Sequence, residues 1–123
     1  MQIHESAENY LEAILMIQLE KGSVRSIDVA HKLDFSKPSV SRAVSLLREN
    51  GYITMDRDGL LSLTPAGQEI AERMYERHVL ISRWLISLGV PEEIATEDAC
   101  RIEHDISSVT FDRLKEHIGT PEM

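Results

Sequence analysis

Apolar residues recur at helical spacing through most of the chain, and only one stretch breaks that rhythm. Tyr10, Leu11, Ile14, Leu15 and Leu19 predict a helix running from Ser6, which can cap it, to about Glu20, with Gly22 and Ser23 ending it. Ile27, Val29, Ala30 and Leu33 predict a short second helix opened by Ser26. After the turn Asp34-Phe35-Ser36 comes a third, from Lys37 to Asn50. Ser36 caps it, Val40, Ala43, Val44 and Leu47 form its stripe, and Gly51 stops it. The period then changes. Tyr52-Ile53-Thr54-Met55 and Leu60-Leu61-Ser62-Leu63 read as two short strands about the turn Asp56-Arg57-Asp58-Gly59. Thr64 and Pro65, a cap followed by a first-turn proline, start a long helix to Leu88. Its stripe of Met74, Ile81, Leu85 and Leu88 keeps regular spacing only if His78 is counted in it. Beyond Pro91, Thr96 is a candidate cap for a helix bearing Cys100, Glu103 and His104. A last helix, with Val109, Phe111, Leu114 and Ile118 apolar, runs from about Val109 to Ile118 before Gly119-Thr120-Pro121.

This order of elements predicts a mainly α fold in two parts. Residues 1–64 form an N-terminal winged helix-turn-helix of three helices plus a β-hairpin wing, and residues 65–123 form an all-helical domain. The third helix is the candidate recognition element. Its small hydroxyl residues let backbone approach DNA closely: Ser36, Lys37, Pro38, Ser39, Ser41 and Arg42 open it. Lys37 and Arg48 can meet phosphates, and Arg42 can reach a guanine edge. Arg57 at the wing tip can lie along the phosphate backbone, weakened there by the flanking Asp56 and Asp58. The competing reading of this region is a three-helix and hairpin unit that binds protein rather than DNA.

Total charge argues against nucleic acid until its distribution is followed. The chain carries a net charge of -8, but residues 1–64 hold 7 Lys+Arg against 9 Asp+Glu, net -2, and residues 65–123 hold 6 against 12, net -6. Residues 21–48 reverse the sign, with Lys21, Arg25, Lys32, Lys37, Arg42 and Arg48 against Asp28 and Asp34, net +4. That is a basic patch on an acidic protein. No apolar run approaches the roughly 20 residues of a membrane span, and the first residues lack signal-peptide character, so the cytoplasm is the expected location. One cysteine cannot make an internal disulfide, which suits a reducing compartment and leaves a thiol as a possible ligand.

Cys100, Glu103 and His104 stand at i, i+3 and i+4, hence on one helix face. A soft thiolate, an intermediate imidazole and a hard carboxylate can grip one transition metal without filling its shell. The bland reading keeps Cys100 as a small buried hydrophobe, with Glu103 and His104 facing water. Likewise His78 reads as a hydrogen-bonded core residue or a ligand, and Asn9 and Glu12 as exposed polar residues of the first helix. The long helix with its strong stripe also suits a dimer interface.

The order of features resembles the diphtheria toxin repressor and manganese transport regulator family of metal-dependent repressors. Asn9-Tyr10-Leu11-Glu12, Ser36-Lys37-Pro38-Ser39-Val40-Ser41, Leu63-Thr64-Pro65-Ala66-Gly67, Arg77-His78 and Ala99-Cys100-Arg101-Ile102-Glu103-His104 carry the likeness across nearly the whole chain. The resemblance implies a homodimer that binds a double-stranded DNA operator and represses metal-uptake genes. Its second part is then a metal-binding and dimerisation domain, and its co-repressor iron(II) or manganese(II). It implies Glu12, His78, Glu103 and His104 as ligands directly. Cys100 falls where iron-type regulators have cysteine and manganese-type ones glutamate. Asn9 falls where the manganese branch has aspartate and the iron branch methionine. Ser82 and Thr96 replace further ligands of the iron branch, so the ancillary site is expected to be lacking. The length matches the short form without a third domain.

Three rival readings can be set against this one. A winged-helix regulator sensing a small organic ligand would make Cys100, Glu103, His104 and His78 structural. A metallohydrolase using Glu103 as base lacks a substrate-positioning motif, so an enzyme is not expected. A closed thiolate-rich zinc site is impossible with one cysteine per chain.

Overall fold

Three helices and a hairpin come first, each ended by an identifiable local signal. The computed structural model describes residues 5–118. Among them α1 spans Glu5–Lys21, α2 Ser26–Leu33, α3 Lys37–Glu49, β1 Ile53–Met55, β2 Leu61–Leu63, α4 Pro65–Ser87, α5 Glu92–Asp105 and α6 Ser108–Ile118. The chain divides into two compact units, Met1–Arg73 and Met74–Met123, and the division falls inside α4.

In the first unit α1 packs on α2, α3 and β2. Leu11, Ile14, Val29, Val40, Val44, Ile53 and Leu61 are buried, whereas Leu19, one of the residues that predicted α1, is exposed. Ser6 lies inside α1 and does not cap it. Nor does Ser26 cap α2: the capping position is Arg25, whose backbone N–H donates to Asp28 Oδ2 at 2.9 Å. The reason is that a carboxylate three residues into a helix can reach back to the residue before it. Asp34 closes α2 in the left-handed conformation, φ +57°. Ser36 caps α3 as expected, its Oγ accepting from Ser39 N at 3.3 Å.

The strands pair antiparallel, Ile53 with Leu63 and Met55 with Leu61. Their turn is set by Asp56, whose Oδ1 accepts from the backbone N–H of Asp58 and of Leu60, both at 2.9 Å. Gly59 takes the positive φ of +85° that a three-residue hairpin loop needs at its last position. Leu61 N also donates to Val24 O at 2.8 Å, which ties the hairpin to the segment before α2. Thr64 caps α4, accepting from Gly67 N at 3.2 Å while its own hydroxyl donates to Gly51 O at 2.7 Å.

Asp28 provides a test of this unit. Its carboxylate pairs with Lys21 Nζ at 2.7 Å and accepts from Arg25 N, and those two partners hold it below the ordinary value of 3.8. A depressed folded value means that the stabilisation is complete above the unfolded pKa and is lost as pH falls through the lower folded one. Asp28→Ala should therefore cost about 1 kcal/mol at neutral pH. Urea unfolding of wild type and variant should converge below the ordinary carboxylate range; a gap that persists in acid would refute the assignment.

The second unit holds the rest of α4 with α5 and α6. Gly89, at φ +102°, ends α4, with Val90 N donating to Leu85 O at 3.1 Å. Leu88, counted in the expected stripe, is 64% exposed because the helix stops before it. Helix α5 begins right after Pro91, so Thr96 lies within it and caps nothing. Glu92 and Glu93 occupy its first turn, where carboxylates suit the positive helix end. Ala95, Ala99 and Glu103 are its buried residues, two small side chains and then a carboxylate along one face. Ser107 caps α6, accepting from Thr110 N at 3.1 Å, and Phe111 is buried while Val109 is exposed. The expected stop at Gly119-Thr120-Pro121 lies outside the described residues.

Candidate nucleic-acid interface and metal centre

Helix α3 presents the candidate DNA-reading residues together. Ser36, Lys37, Pro38, Ser39, Ser41, Arg42 and Arg48 are all exposed, as is Arg57 in the hairpin loop. Ser36 and Ser39 are tied to each other, Oγ to Oγ at 2.9 Å, which stiffens the helix start. The basic patch of residues 21–48 proves to be two sets with different work. Lys21 pairs with Asp28, and Lys32 with Glu20 at 3.7 Å. The Arg25 guanidinium donates to Asp58 O in the hairpin loop, bracing the wing. Lys37, Arg42 and Arg48, all on α3, form no ion pair among the described residues, so their charge stays available at the surface. Asp56 spends its carboxylate on the turn, which leaves Asp58 as the acid beside Arg57 that the turn does not use.

The metal-type donors of the second unit also gather. One ligand atom each from Cys100, Glu103 and His104 lies within 4.8 Å of the others. Glu103 is 0% exposed. Its Oε2 stands 3.1 Å from His78 Nδ1, and its Oε1 3.4 Å from His104 Nε2. So α4 and α5 bring three further donors, His78, Cys100 and His104, about one buried carboxylate. Thiol, imidazole and carboxylate gathered in this way are donor types that fit a divalent transition ion, which takes them at roughly 2.0–2.3 Å. Asn9 and Glu12 lie on α1 in the first unit, Asn9 half-buried and Glu12 3% exposed. Ser82 donates to His78 O at 2.7 Å, a bond along α4 itself.

One residue at the site carries a role that periodicity did not assign. Arg77 is 5% exposed, and its position between Met74 and Ile81 makes it, more than His78, the continuation of the buried stripe. An arginine at a core position of an amphipathic helix is the signal that could have singled it out.

A winged helix-turn-helix followed by a helical unit in which Cys100, Glu103 and His104 gather is the arrangement of a DNA-binding regulator with a candidate metal centre. Residues 2–62 match the iron dependent repressor N-terminal DNA binding domain, and residues 64–123 match the iron dependent repressor metal binding and dimerisation domain. The chain belongs to the diphtheria toxin repressor and manganese transport regulator family, and these are regulators, not enzymes. It is 36% identical over 108 residues to the transcriptional regulator MntR of Salmonella typhimurium, covering 88% of this chain and 69% of that protein. With the HTH-type transcriptional regulator MntR of Lysinibacillus sphaericus it shares 32% identity over 117 residues, 95% of this chain and 84% of the other. The solved structure of the manganese regulator SloR superposes with a TM-score of 0.83 at 27% identity. That match takes in 100% of this chain but 57% of the other, so the chain spans just over half its length. A regulator sensing an organic ligand is not favoured by these findings. No helix among the described residues is long and apolar enough to cross a membrane.

Proposed function

We propose that this protein is a cytoplasmic, homodimeric repressor that binds operator DNA when iron(II) or manganese(II) is bound. In this reading residues 1–64 bind DNA and residues 65–123 bind metal and dimerise. His78, Cys100, Glu103 and His104 are the ligands on α4 and α5. Asn9 and Glu12 join them on the strength of the Asn9-Tyr10-Leu11-Glu12 motif. The observation that carries the reading is the gathering of thiol, imidazole and carboxylate within 4.8 Å at Cys100, Glu103 and His104 in a member of this family.

The thiol makes iron(II) the better fit of the two ions, because a soft donor discriminates against manganese(II). When bound, the ion supplies positive charge that offsets the buried carboxylates and fixes the orientation of their side chains. His78 orients Glu103 beforehand through the 3.1 Å contact, so the carboxylate does not have to be recruited from solvent. Exposed Ile86, Leu88, Ile94 and Val109 in the second unit supply apolar surface suited to a second copy of the chain. Paired recognition helices about 34 Å apart can then read successive major grooves. Operator affinity and metal affinity are linked reciprocally, so each must raise the other by the same factor.

The test is anaerobic DNA binding by fluorescence anisotropy, using duplexes enriched from a random pool with metal present. Saturable binding that rises with iron(II) or manganese(II) is expected, and equal binding in chelator would refute the proposal. On the same duplexes Arg42→Ala should cost roughly tenfold or more and flatten the preference at one base pair, about 1–3 kcal/mol of lost base readout. Arg57→Ala should weaken all duplexes alike and lower the salt slope by about one.

A further inference from the structure

The Arg77-His78 pair grips Glu103 at both ends. His78 Nδ1 meets the carboxylate at 3.1 Å, while Arg77 Nη1 donates to the backbone carbonyl of the same residue at 2.9 Å. The same nitrogen donates to Ile106 O at 2.8 Å, and Arg77 Nη2 reaches Ser108 Oγ at 3.4 Å. The ring of Phe111 lies 5.3 Å from the guanidinium carbon. Helix α5 ends at Asp105, so the carbonyl of Glu103 belongs to the last turn, whose acceptors have no partner further along the helix. Arg77 supplies that partner from another helix.

His104 also lies in this last turn, and Cys100 one turn earlier. An unwound final turn would carry Glu103 and His104 away from Cys100. We propose that Arg77 is a positioning residue for the metal centre: it keeps the last turn of α5 wound, and thereby holds Glu103 and His104 at metal-binding separation from Cys100. Arg77 itself contributes no ligand atom. Its five fixed N–H groups suit two diverging carbonyls and a hydroxyl, a geometry that one lysine ammonium covers only in part. This inference rests on the metal-site reading above, and the experiment separates the two.

Wild type, Arg77→Met and Arg77→Lys would be titrated anaerobically with cobalt(II), following the thiolate-to-cobalt absorption and the bound stoichiometry. Amide hydrogen exchange would be followed in the metal-free proteins alongside. Arg77→Met is expected to bind cobalt(II) roughly 10–100-fold more weakly, the usual loss when a residue that supports a ligand is removed. Its exchange should quicken at Glu103, His104 and Asp105 and remain unchanged in α1 to α3. Arg77→Lys, which keeps the charge and one donor, should recover part of the affinity. It also carries the test if the methionine variant does not fold: cobalt affinity equal to wild type in either folded variant overturns the positioning role. Unchanged exchange at α5 overturns the winding argument even where affinity falls. A wild type that binds no cobalt(II) overturns the metal-site reading itself, and with it this inference.

Discussion

His78→Ala protein is expected to bind duplex DNA no better with iron(II) or manganese(II) than in chelator. The change removes an imidazole that stands 3.1 Å from Glu103 Oε2, and with it a partner that holds Glu103 in place. With His78 a ligand, as proposed, both losses act on metal affinity in the same direction, and a fall of about 100-fold or more is expected. Stability is affected far less. Leaving Glu103, a buried carboxylate, with one fewer partner costs about 1–3 kcal/mol, which lowers Tm without unfolding the protein at 25 °C. Circular dichroism should therefore show wild-type helix content in the same sample that fails to respond to metal. His78→Gln serves as the companion, since its amide can still donate to Glu103 but is a poor substitute ligand. Metal activation retained in His78→Ala would remove the imidazole from the site.

The sequence exposed the two halves of this function unequally. Cys100, Glu103 and His104 were legible as a group because their spacing lies within one helix, where i, i+3 and i+4 place side chains on one face whatever else the chain does. The helix-turn-helix was legible for a related reason: Ser36, Pro38 and Gly51 act locally, and local signals survive without knowledge of the tertiary fold. What the sequence could not separate was which charges are used internally. Lys21, Arg25 and Lys32 looked equivalent to Lys37, Arg42 and Arg48, and only the structure divides three that brace α2 and the hairpin from three that α3 presents outward. The same holds for caps. Ser26 and Thr96 satisfied the residue preference for a helix start, yet Asp28 and Pro91 decided where α2 and α5 begin. Arg77 was legible as part of the Arg77-His78 motif but its role was not, because its partners, Glu103 O and Ile106 O, are backbone atoms 26 and 29 positions away. Backbone acceptors leave no mark on residue identity.

Gly67→Ala tests the joint between recognition helix, wing and α4, and two physical effects oppose each other there. Gly67 lies within α4 at no unusual φ, so helix propensity alone predicts that alanine stabilises by about 1 kcal/mol. A Cβ at this position would stand 2.1 Å from the backbone oxygen of Tyr52 and 3.0 Å from its carbonyl carbon. That carbonyl cannot easily retreat. It accepts from Thr64 N at 3.0 Å, while Tyr52 N donates to Leu47 O at 3.0 Å and so fixes the exit from α3. Relief requires the start of α4 to move off the hairpin or the end of α3 to move off its own turn, and either costs about 3 kcal/mol or more, well above the propensity gain. The net loss of about 2 kcal/mol or more should lower Tm by at least about 8 °C. Gly22→Ala isolates the alternative cause: Gly22 has φ +86° and nothing within 4 Å of its would-be Cβ, so it should cost only the roughly 1–2 kcal/mol of a left-handed alanine. Equal losses in the two variants would show that contact with Tyr52 is not what demands glycine. If the contact is responsible, Gly67→Ala should also weaken DNA binding at temperatures where the chain remains folded, because Leu47 and Tyr52 link the end of the reading helix to the wing.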